Sequence, residues 1–480
     1  MYPMINLLSK NEESIVALCT PQGSGALALI RITGTNAIEI VEKFALLPKN
    51  KLLSQAPTHT IHFGHIINNN KNNSSNNPSS EIIDEVLFFL MKAPKTFTGQ
   101  NTVEISCHNN PFLINKIISI AISFGARAAE PGEFSKRAFL NNKIDLAQAE
   151  SINELIGAQN EIVIKKSLEQ LKGSLSAKIK NIEEEIIKLL SLVEASFEFI
   201  EEEQKDLNFN NIINEQFKII LENINSIKSN FNQQQQIKEG LRIGILGAVN
   251  AGKSTLFNTL IKKDRSIVTN IPGTTRDSIE AHLYKDGSFW TFIDTAGLRE
   301  TEDIVEKQGI ERAWQEACKA DILLLVISAN DTELNNDQII LYNDALEKYK
   351  DKIILVLNKI DQQDTSSILK KLKHDLEIIK VSAQEKIGIE NLENKISEKI
   401  ELSLKNFKSP FLINKRHFDI LQNVENSILK LQEAFESQIL GNEILGQELK
   451  DVLEKLMQLT GRNINEKMLD EVFKNFCIGK

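Results

Sequence analysis

The apolar positions change their period three times along the chain. From residue 1 to about residue 125 they fall in short runs broken by turns, which predicts strands. Ser14–Thr20 and Ala26–Thr33 flank Pro21-Gln22-Gly23-Ser24-Gly25 and read as a hairpin-like pair, with Val86–Met91 and Val103–His108 as two further strands. Asn68–Ser80 is Asn and Ser apart from Lys71 and Pro78, has little to bury, and predicts a mobile loop. From about Glu133 to Ser229 the spacing turns helical. Leu146, Ile152, Leu155 and Ile156 recur at helix intervals, and Ile162–Phe199 continues the pattern between charged residues. Stripes of this kind are packing faces and imply no chemistry. Gln233–Gln236 marks a polar joint. Four apolar strands follow, Leu241–Leu246, Trp290–Ile293, Leu323–Ile327 and Ile353–Leu357, before helical spacing returns through Leu404–Phe476. The expected fold is multidomain, α/β plus all-α. An N-terminal α+β domain spans 1–125, and an α/β domain at 237–400 is inserted between helical parts at 126–236 and 401–480, which compactness favours packing together.

Composition narrows the class. The 480 residues are 41% hydrophobic and carry a net charge of −9, so no global basic field recruits nucleic acid and an RNA partner needs a local basic patch. The four cysteines, Cys19, Cys107, Cys318 and Cys477, are scattered with no CxxC pair. That argues against a disulfide framework or zinc site and for a reducing cytoplasm. No signal peptide and no apolar run of ~18 residues stands out, which predicts no membrane association.

The inserted domain carries the clearest chemistry. Strand Leu241–Leu246 runs into Gly247-Ala248-Val249-Asn250-Ala251-Gly252-Lys253-Ser254, with Thr255 in the helix start that follows. Backbone amides of such a loop curl around phosphate, Lys253 reaches the outer phosphates, and Ser254 can hold Mg²⁺ at a helix N-terminus. Asp294-Thr295-Ala296-Gly297 follows the second strand. The Asp is placed to reach Mg²⁺ through water, and the Gly amide to meet the γ-phosphate. Asn358-Lys359-Ile360-Asp361 follows the fourth strand. Its carboxylate can accept two hydrogen bonds from guanine, a pair that adenine does not offer. Val381-Ser382-Ala383 offers backbone amides to the guanine carbonyl. Thr275, in Gly273-Thr274-Thr275-Arg276, is the natural second Mg²⁺ ligand once its loop closes. GTP is therefore the expected ligand. Leu298 stands where many GTPases place a water-orienting glutamine. Either hydrolysis is slow, or a polar group takes over, with Glu300–Glu306 the nearest supply.

Longer strings resemble a known family. Ser14-Ile15-Val16-Ala17-Leu18 with Gly25–Arg31, Gly125-Ala126-Arg127, Pro131-Gly132-Glu133-Phe134, Arg137-Ala138-Phe139-Leu140-Asn141, Asp145–Glu150 and the terminal Cys477-Ile478-Gly479-Lys480 are similar to the MnmE (TrmE) family of tRNA modification GTPases. The resemblance covers essentially the whole chain. It implies a Ras-like P-loop GTPase domain inserted in a helical domain, behind an N-terminal domain that dimerises and binds folate. The implied activity, with the flavin enzyme MnmG (GidA), adds an aminomethyl-type group to C5 of the wobble uridine of certain tRNAs. A folate such as 5-formyltetrahydrofolate supplies the one-carbon unit, and GTP hydrolysis is required.

The resemblance also assigns residues. Arg31, Glu104, Lys143 and Lys480 match folate-contacting positions. Cys477 reads as a nucleophile or an acid/base thiol, with a small apolar filler as the bland alternative. A prenylation signal is rejected because Gly479 and Lys480 fit it poorly. The family is potassium-activated. Asn250 matches the side-chain ligand of the ion, and Thr269, Ile271 and Thr274 match the loop that closes around it, mainly through carbonyls, when two G domains pair. Glu306 matches the catalytic glutamate, which orients the water indirectly. Two stretches depart from the pattern: Thr98-Gly99-Gln100-Asn101 replaces a more usual acidic pair, and His108-Asn109-Asn110 replaces His-Gly-Gly. A ribosome-assembly GTPase shares Pro272–Thr275 but often carries a GxxG clamp, and no two glycines after Ser382 have that spacing.

Overall fold

In a computed structural model, described for residues 13–68 apart from 22 and 24, 81–198, 207–229, 231, 234, 235, 238, 241–263 apart from 249, 280–294 apart from 286 and 287, 320–329, 336–362, 376–405, 409–437 and 442–479, the first strands form one sheet. They are β1 (Ile15–Leu18), β2 (Leu27–Thr33), β3 (Ala45–Leu46), β4 (Thr60–Asn68), β5 (Glu81–Met91), β6 (Thr102–His108) and β7 (Arg127–Ala128), in the order β3-β4-β5-β6-β2-β1-β7. Neighbours are antiparallel except β1 and β7. Strand residues alternate between faces. Ala28, Ile30 and Ile32 of β2 and Val103, Ile105 and Cys107 of β6 are buried with α1 (Ala37–Glu42) and α2 (Pro111–Ser123). Arg31 and Glu104, directly paired across β2 and β6, take the opposite face. The departure at Asn109-Asn110 has a local use. Asn110 caps α2, accepting the Phe112 N–H ahead of Pro111, and Asn109 Nδ2 donates to the Gly23 carbonyl.

Helices follow: α3 (Glu133–Leu140), α4 (Leu146–Ile156), α5 (Glu161–Leu171), α6 (Ser174–Glu198) and α7 (Leu207–Lys228). The second sheet holds β8 (Leu241–Gly247), β9 (Glu280–Lys285), β10 (Ser288–Asp294), β11 (Ile322–Ser328), β12 (Ile353–Asn358) and β13 (Ile378–Lys380), in the order β13-β12-β11-β8-β10-β9. All its pairs are parallel except β9–β10. Strands β11 and β12 are buried along their whole length, as a sheet covered on both faces requires. Its helices are α8 (Lys253–Lys263), α9 (Asn336–Lys348) and α10 (Ile389–Lys405).

The chain ends in α11 (Lys415–Glu436), α12 (Asn442–Met457) and α13 (Glu466–Lys474). Two compact units result, one of Met1–Ile156, Gln170–Asn223 and Asp419–Lys480, the other of Gly157–Glu169 and Ile224–Phe418. In the first, α6 packs along α12, and α13 buries Leu469 and Phe473 against Leu146 and Ala149. In the second, the expected polar joint is partly internal. Gln234 is buried and accepts the Ile413 N–H, while Gln235 donates to the Ile413 carbonyl. Among the described residues no helix is long and apolar enough to cross a membrane.

Candidate functional site

The phosphate loop joins β8 to α8 at the carboxyl end of the parallel strands, where open α/β sheets bind ligands. Asn250 takes a left-handed backbone (φ 63°) and is exposed on the loop. Gly252 (φ 89°) leaves room that a Cβ would take from Asn358, whose Nδ2 would lie 2.3 Å away. Lys253 Nζ donates to the carbonyls of Gly247 (2.9 Å) and Ala248 (2.8 Å), which holds the ammonium over the loop. Ala251 is buried behind it, while Ser254 and Thr255 stand exposed in the first turn of α8. An exposed hydroxyl and an ammonium at a helix N-terminus fit phosphates and a hard divalent cation such as Mg²⁺.

Asn358 ties this loop to the base-side loop. Buried at 2% exposure, it donates through Nδ2 to the Ala251 carbonyl (3.0 Å) and accepts the Ala383 N–H (3.0 Å). Lys359 has a left-handed backbone, and Asp361 is exposed two residues on, free of the packing that binds Asn358. The Val381–Ala383 amides differ from the sequence expectation. They donate to Leu357 O, Ile387 O and Asn358 Oδ1 respectively: Val381 continues the pairing with β12, Ser382 closes the turn to Ile387, and Ala383 binds the Asn358 side chain. Ser382 and Ala383 shape the rim and are committed inside the protein. Thr259 Oγ1 donates to the Ala383 carbonyl, a support that no motif announces. Asp294 ends β10 as a strand residue; its side chain, and Thr269, Ile271, Thr274, Thr275, Thr295, Ala296, Gly297, Leu298 and Glu306, lie outside the described residues.

A second site sits on the other face of the first sheet, beside the buried cluster of Ile15, Ala17 and Phe134. Arg31 Nε donates to Glu104 Oε1 at 2.7 Å, each side chain 17% exposed. Arg31 Nη1 donates to the carbonyl of Gly479 (3.2 Å), and the Cys19 thiol lies 3.2 Å from the same oxygen. The guanidinium stands 5.4 Å from the Phe134 ring centre and 5.9 Å from that of Phe97. The tail is held at two points. The Gly132 amide donates to the Cys477 carbonyl at 3.3 Å. Gly479 (φ 95°) presses so close to β1 that a Cβ would come within 2.6 Å of the Leu18 carbonyl. Cys477 itself is exposed. Lys143 donates to the Pro94 carbonyl (2.8 Å) and packs beside Gly99, on the same loop as Phe97. Lys480 lies outside the described residues. The structure thus gathers Arg31, Glu104 and the tail, with Lys143 on the flanking loop. Sequence reasoning gave Cys19, Phe97 and Phe134 no role here; Cys19 follows the opening string, Phe134 ends the Pro131–Phe134 string, and Phe97 precedes the departing stretch Thr98–Asn101.

Charge supports this site from below. Arg137, 1% exposed, donates to Glu13 O, Gln100 Oε1 and Glu133 Oε1. Burial holds its pKa below the usual value, against the pull of Glu133. For Glu133 burial pushes the other way, but hydrogen bonds from Arg127 and the Glu130 N–H, with Arg137 nearby, leave its pKa lowered. Burial and the charge of Asp84 push the Cys107 thiol up to about 11, so it stays neutral in the core.

A mostly parallel sheet with this loop, and an Asn358 strut joining it to the base side, define a P-loop GTPase. Two family models match: "GTP-binding protein TrmE N-terminus" over residues 14–143 and "MnmE helical domain" over residues 146–477. The "tRNA modification GTPase MnmE" of Alkaliphilus oremlandii is 37% identical over 472 residues, covering 98% of this chain and 99% of its own. That of Christiangramia forsetii is 34% identical over 490 residues, covering 98% and 100%. Among solved structures, the G domain of the T. maritima FeoB iron transporter shares 28% identity over 33% of this chain and 98% of its own, with a TM-score of 0.25. The chain belongs to the MnmE family of tRNA modification GTPases.

Proposed function

We propose that this chain works in the cytoplasm as a homodimeric, potassium-activated GTPase. With the flavin-dependent enzyme MnmG (GidA) it adds an aminomethyl-type group to C5 of the wobble uridine of certain tRNAs, drawing the carbon from 5-formyltetrahydrofolate or a related folate. One observation carries the reading: Arg31 and Cys19 hold the Gly479 carbonyl and so bring the thiol-bearing tail to the Arg31–Glu104 pair. A cation, a carboxylate and aromatic rings suit a ligand with a glutamate tail and a hydrogen-bonding pterin.

In this reading Lys253 and the loop amides bind the phosphates, Ser254 and Thr275 ligate Mg²⁺, Asp294 reaches it through water, and Asp361 selects guanine. Asn250, exposed on the loop, offers an amide oxygen to K⁺, and Thr269, Ile271 and Thr274 close around that position when two nucleotide domains pair. A K⁺ held there would supply positive charge that offsets the charge developing during hydrolysis, as an arginine finger does elsewhere. Glu306 orients the water where Leu298 cannot. Arg31, Glu104, Lys143 and Lys480 receive the folate, and Cys477 acts as nucleophile or acid/base thiol. The reading keeps the division into 1–125, 126–236, 237–400 and 401–480.

Titrating purified full-length protein with 5-formyltetrahydrofolate tests the second site. Saturable binding that weakens at least tenfold in Arg31→Ala supports it, and no binding by the wild type rejects it. GTP hydrolysis in KCl and in NaCl tests the first; equal rates, or normal turnover in Glu306→Ala, reject the potassium mechanism.

A further inference from the structure

Tyr342, on α9, is fully buried beneath the phosphate loop, and no motif or family string includes it. Its hydroxyl makes two bonds. It accepts the Ala248 N–H at 2.8 Å and donates to the Val326 carbonyl at 3.1 Å. Val326 is the β11 partner of Gly247, the last residue of β8. The phenol therefore extends the β8–β11 ladder by one step, into the first residue of the loop. The other end of Ala248 is also occupied, since its carbonyl accepts from Lys253 Nζ and from the Ala251 N–H (3.2 Å).

We propose that Tyr342 is a positioning residue for GTP binding and hydrolysis, fixing Lys253 and the mouth of the phosphate loop through Ala248. The mechanism is steric and electrostatic. Ala248 is 6% exposed, so without the hydroxyl its N–H is left in the core with nothing to receive it. Turning outward relieves that cost, but the same turn swings the Gly247 carbonyl, which shares the rigid peptide plane of that N–H, away from the ammonium it accepts from. The loop then presents its amides and Lys253 in several arrangements, and phosphate binding must reorder them. Because Tyr342 lies on a helix outside the nucleotide motifs, any shift of α9 is also passed to the loop through one hydrogen bond.

The test uses the full-length chain and the variants Tyr342→Phe and Leu346→Ala. Leu346 shares the apolar layer of Tyr342 and carries no polar atom, so it controls for packing alone. Tyr342→Phe is expected to weaken GDP and GTP affinity about tenfold and to speed nucleotide release. It should raise KM for GTP more than it lowers kcat, and shift Tm by only a few degrees. Leu346→Ala should lower Tm with nucleotide affinity unchanged. Amide exchange reads the bond in the wild type without any variant. The Ala248 N–H should exchange as slowly as that of Leu246 in the nucleotide-free protein, and at least tenfold faster in Tyr342→Phe. Unchanged affinity in Tyr342→Phe overturns the proposal. So does wild-type exchange at Ala248 as fast as at an exposed loop amide.

Discussion

The thiol of Cys19 lies 3.2 Å from the carbonyl oxygen of Gly479, 460 residues further along the chain. One end of β1 therefore helps hold the segment that carries Cys477, and Arg31 shares the same oxygen. A thiol is a weak donor, so the bond is worth about 0.5 kcal/mol, the low end for a hydrogen bond, or roughly twofold in a rate that needs the tail in place. Cys19→Ala is expected to slow wobble-uridine modification by that factor with GTP hydrolysis unchanged. Cys19→Ser, which keeps a donor, should stay near wild type. Equal loss in both variants points to packing and not to the bond.

Arg31 serves Glu104 and the tail at once through a planar fork of donors, an arrangement a lysine ammonium does not reproduce. Arg31→Lys is expected to fall nearer to Arg31→Ala than to wild type in folate affinity. Calorimetry on the three proteins checks this, and a fully active Arg31→Lys refutes it.

His108 is exposed, but its Nδ1 lies 2.6 Å from Oδ1 of the buried Asp84, which also accepts the His108 N–H. The hydrogen bond to Asp84 and its charge, with a smaller contribution from Glu85, raise the imidazole pKa above 6.5. A pKa raised in the folded state adds stability in full below about pH 6.5 and loses it as pH rises through the raised value. An NMR titration should place His108 above an ordinary histidine. Asp84→Asn should bring it back, and no change between the two titrations rules out the pairing.

Arg462 reaches both carboxylate oxygens of Glu183, whose side chain is 6% exposed on α6. Arg462→Ala strands that carboxylate, at a cost of about 1–3 kcal/mol. Its Tm should fall by several degrees, and Arg462→Ala with Glu183→Gln should recover part of the loss. A double variant no more stable than the single one contradicts this.

Where periodicity matched the buried face, the sequence could be read directly. Strands β2, β6, β8, β11 and β12 stand within about a residue of the apolar runs that announce them. Strand β4 does not show in the pattern because its apolar Ile61 and Phe63 lie on the exposed face and its register shifts at Ile66/Ile67, and β13 because three residues are too few to show one. Helix α2 hid inside a stretch read as strands; Asn110-Pro111 was its start signal. At the sites, motifs located the phosphate loop, Asn358 and Asp361. They could not show that the Ser382 and Ala383 amides are spent on the fold, because that depends on a turn closing from Ser382 to Ile387 and on the side chain of Asn358, 25 residues from Ala383. Cys19 and Tyr342 were illegible for a related reason. Their roles come from residues distant in sequence, Gly479 and Ala248.

The central claim is that Cys477, on the tail whose Gly479 carbonyl Arg31 holds, takes part in modifying the tRNA wobble base. Mass spectrometry of wobble nucleosides from cells lacking this protein tests it, with wild type or Cys477→Ser restored. The account predicts an unmodified C5 position in the deletion, recovery with wild type, and failure with Cys477→Ser even though that variant still hydrolyses GTP. Full recovery with Cys477→Ser, or normal wobble uridine in the deletion, contradicts it.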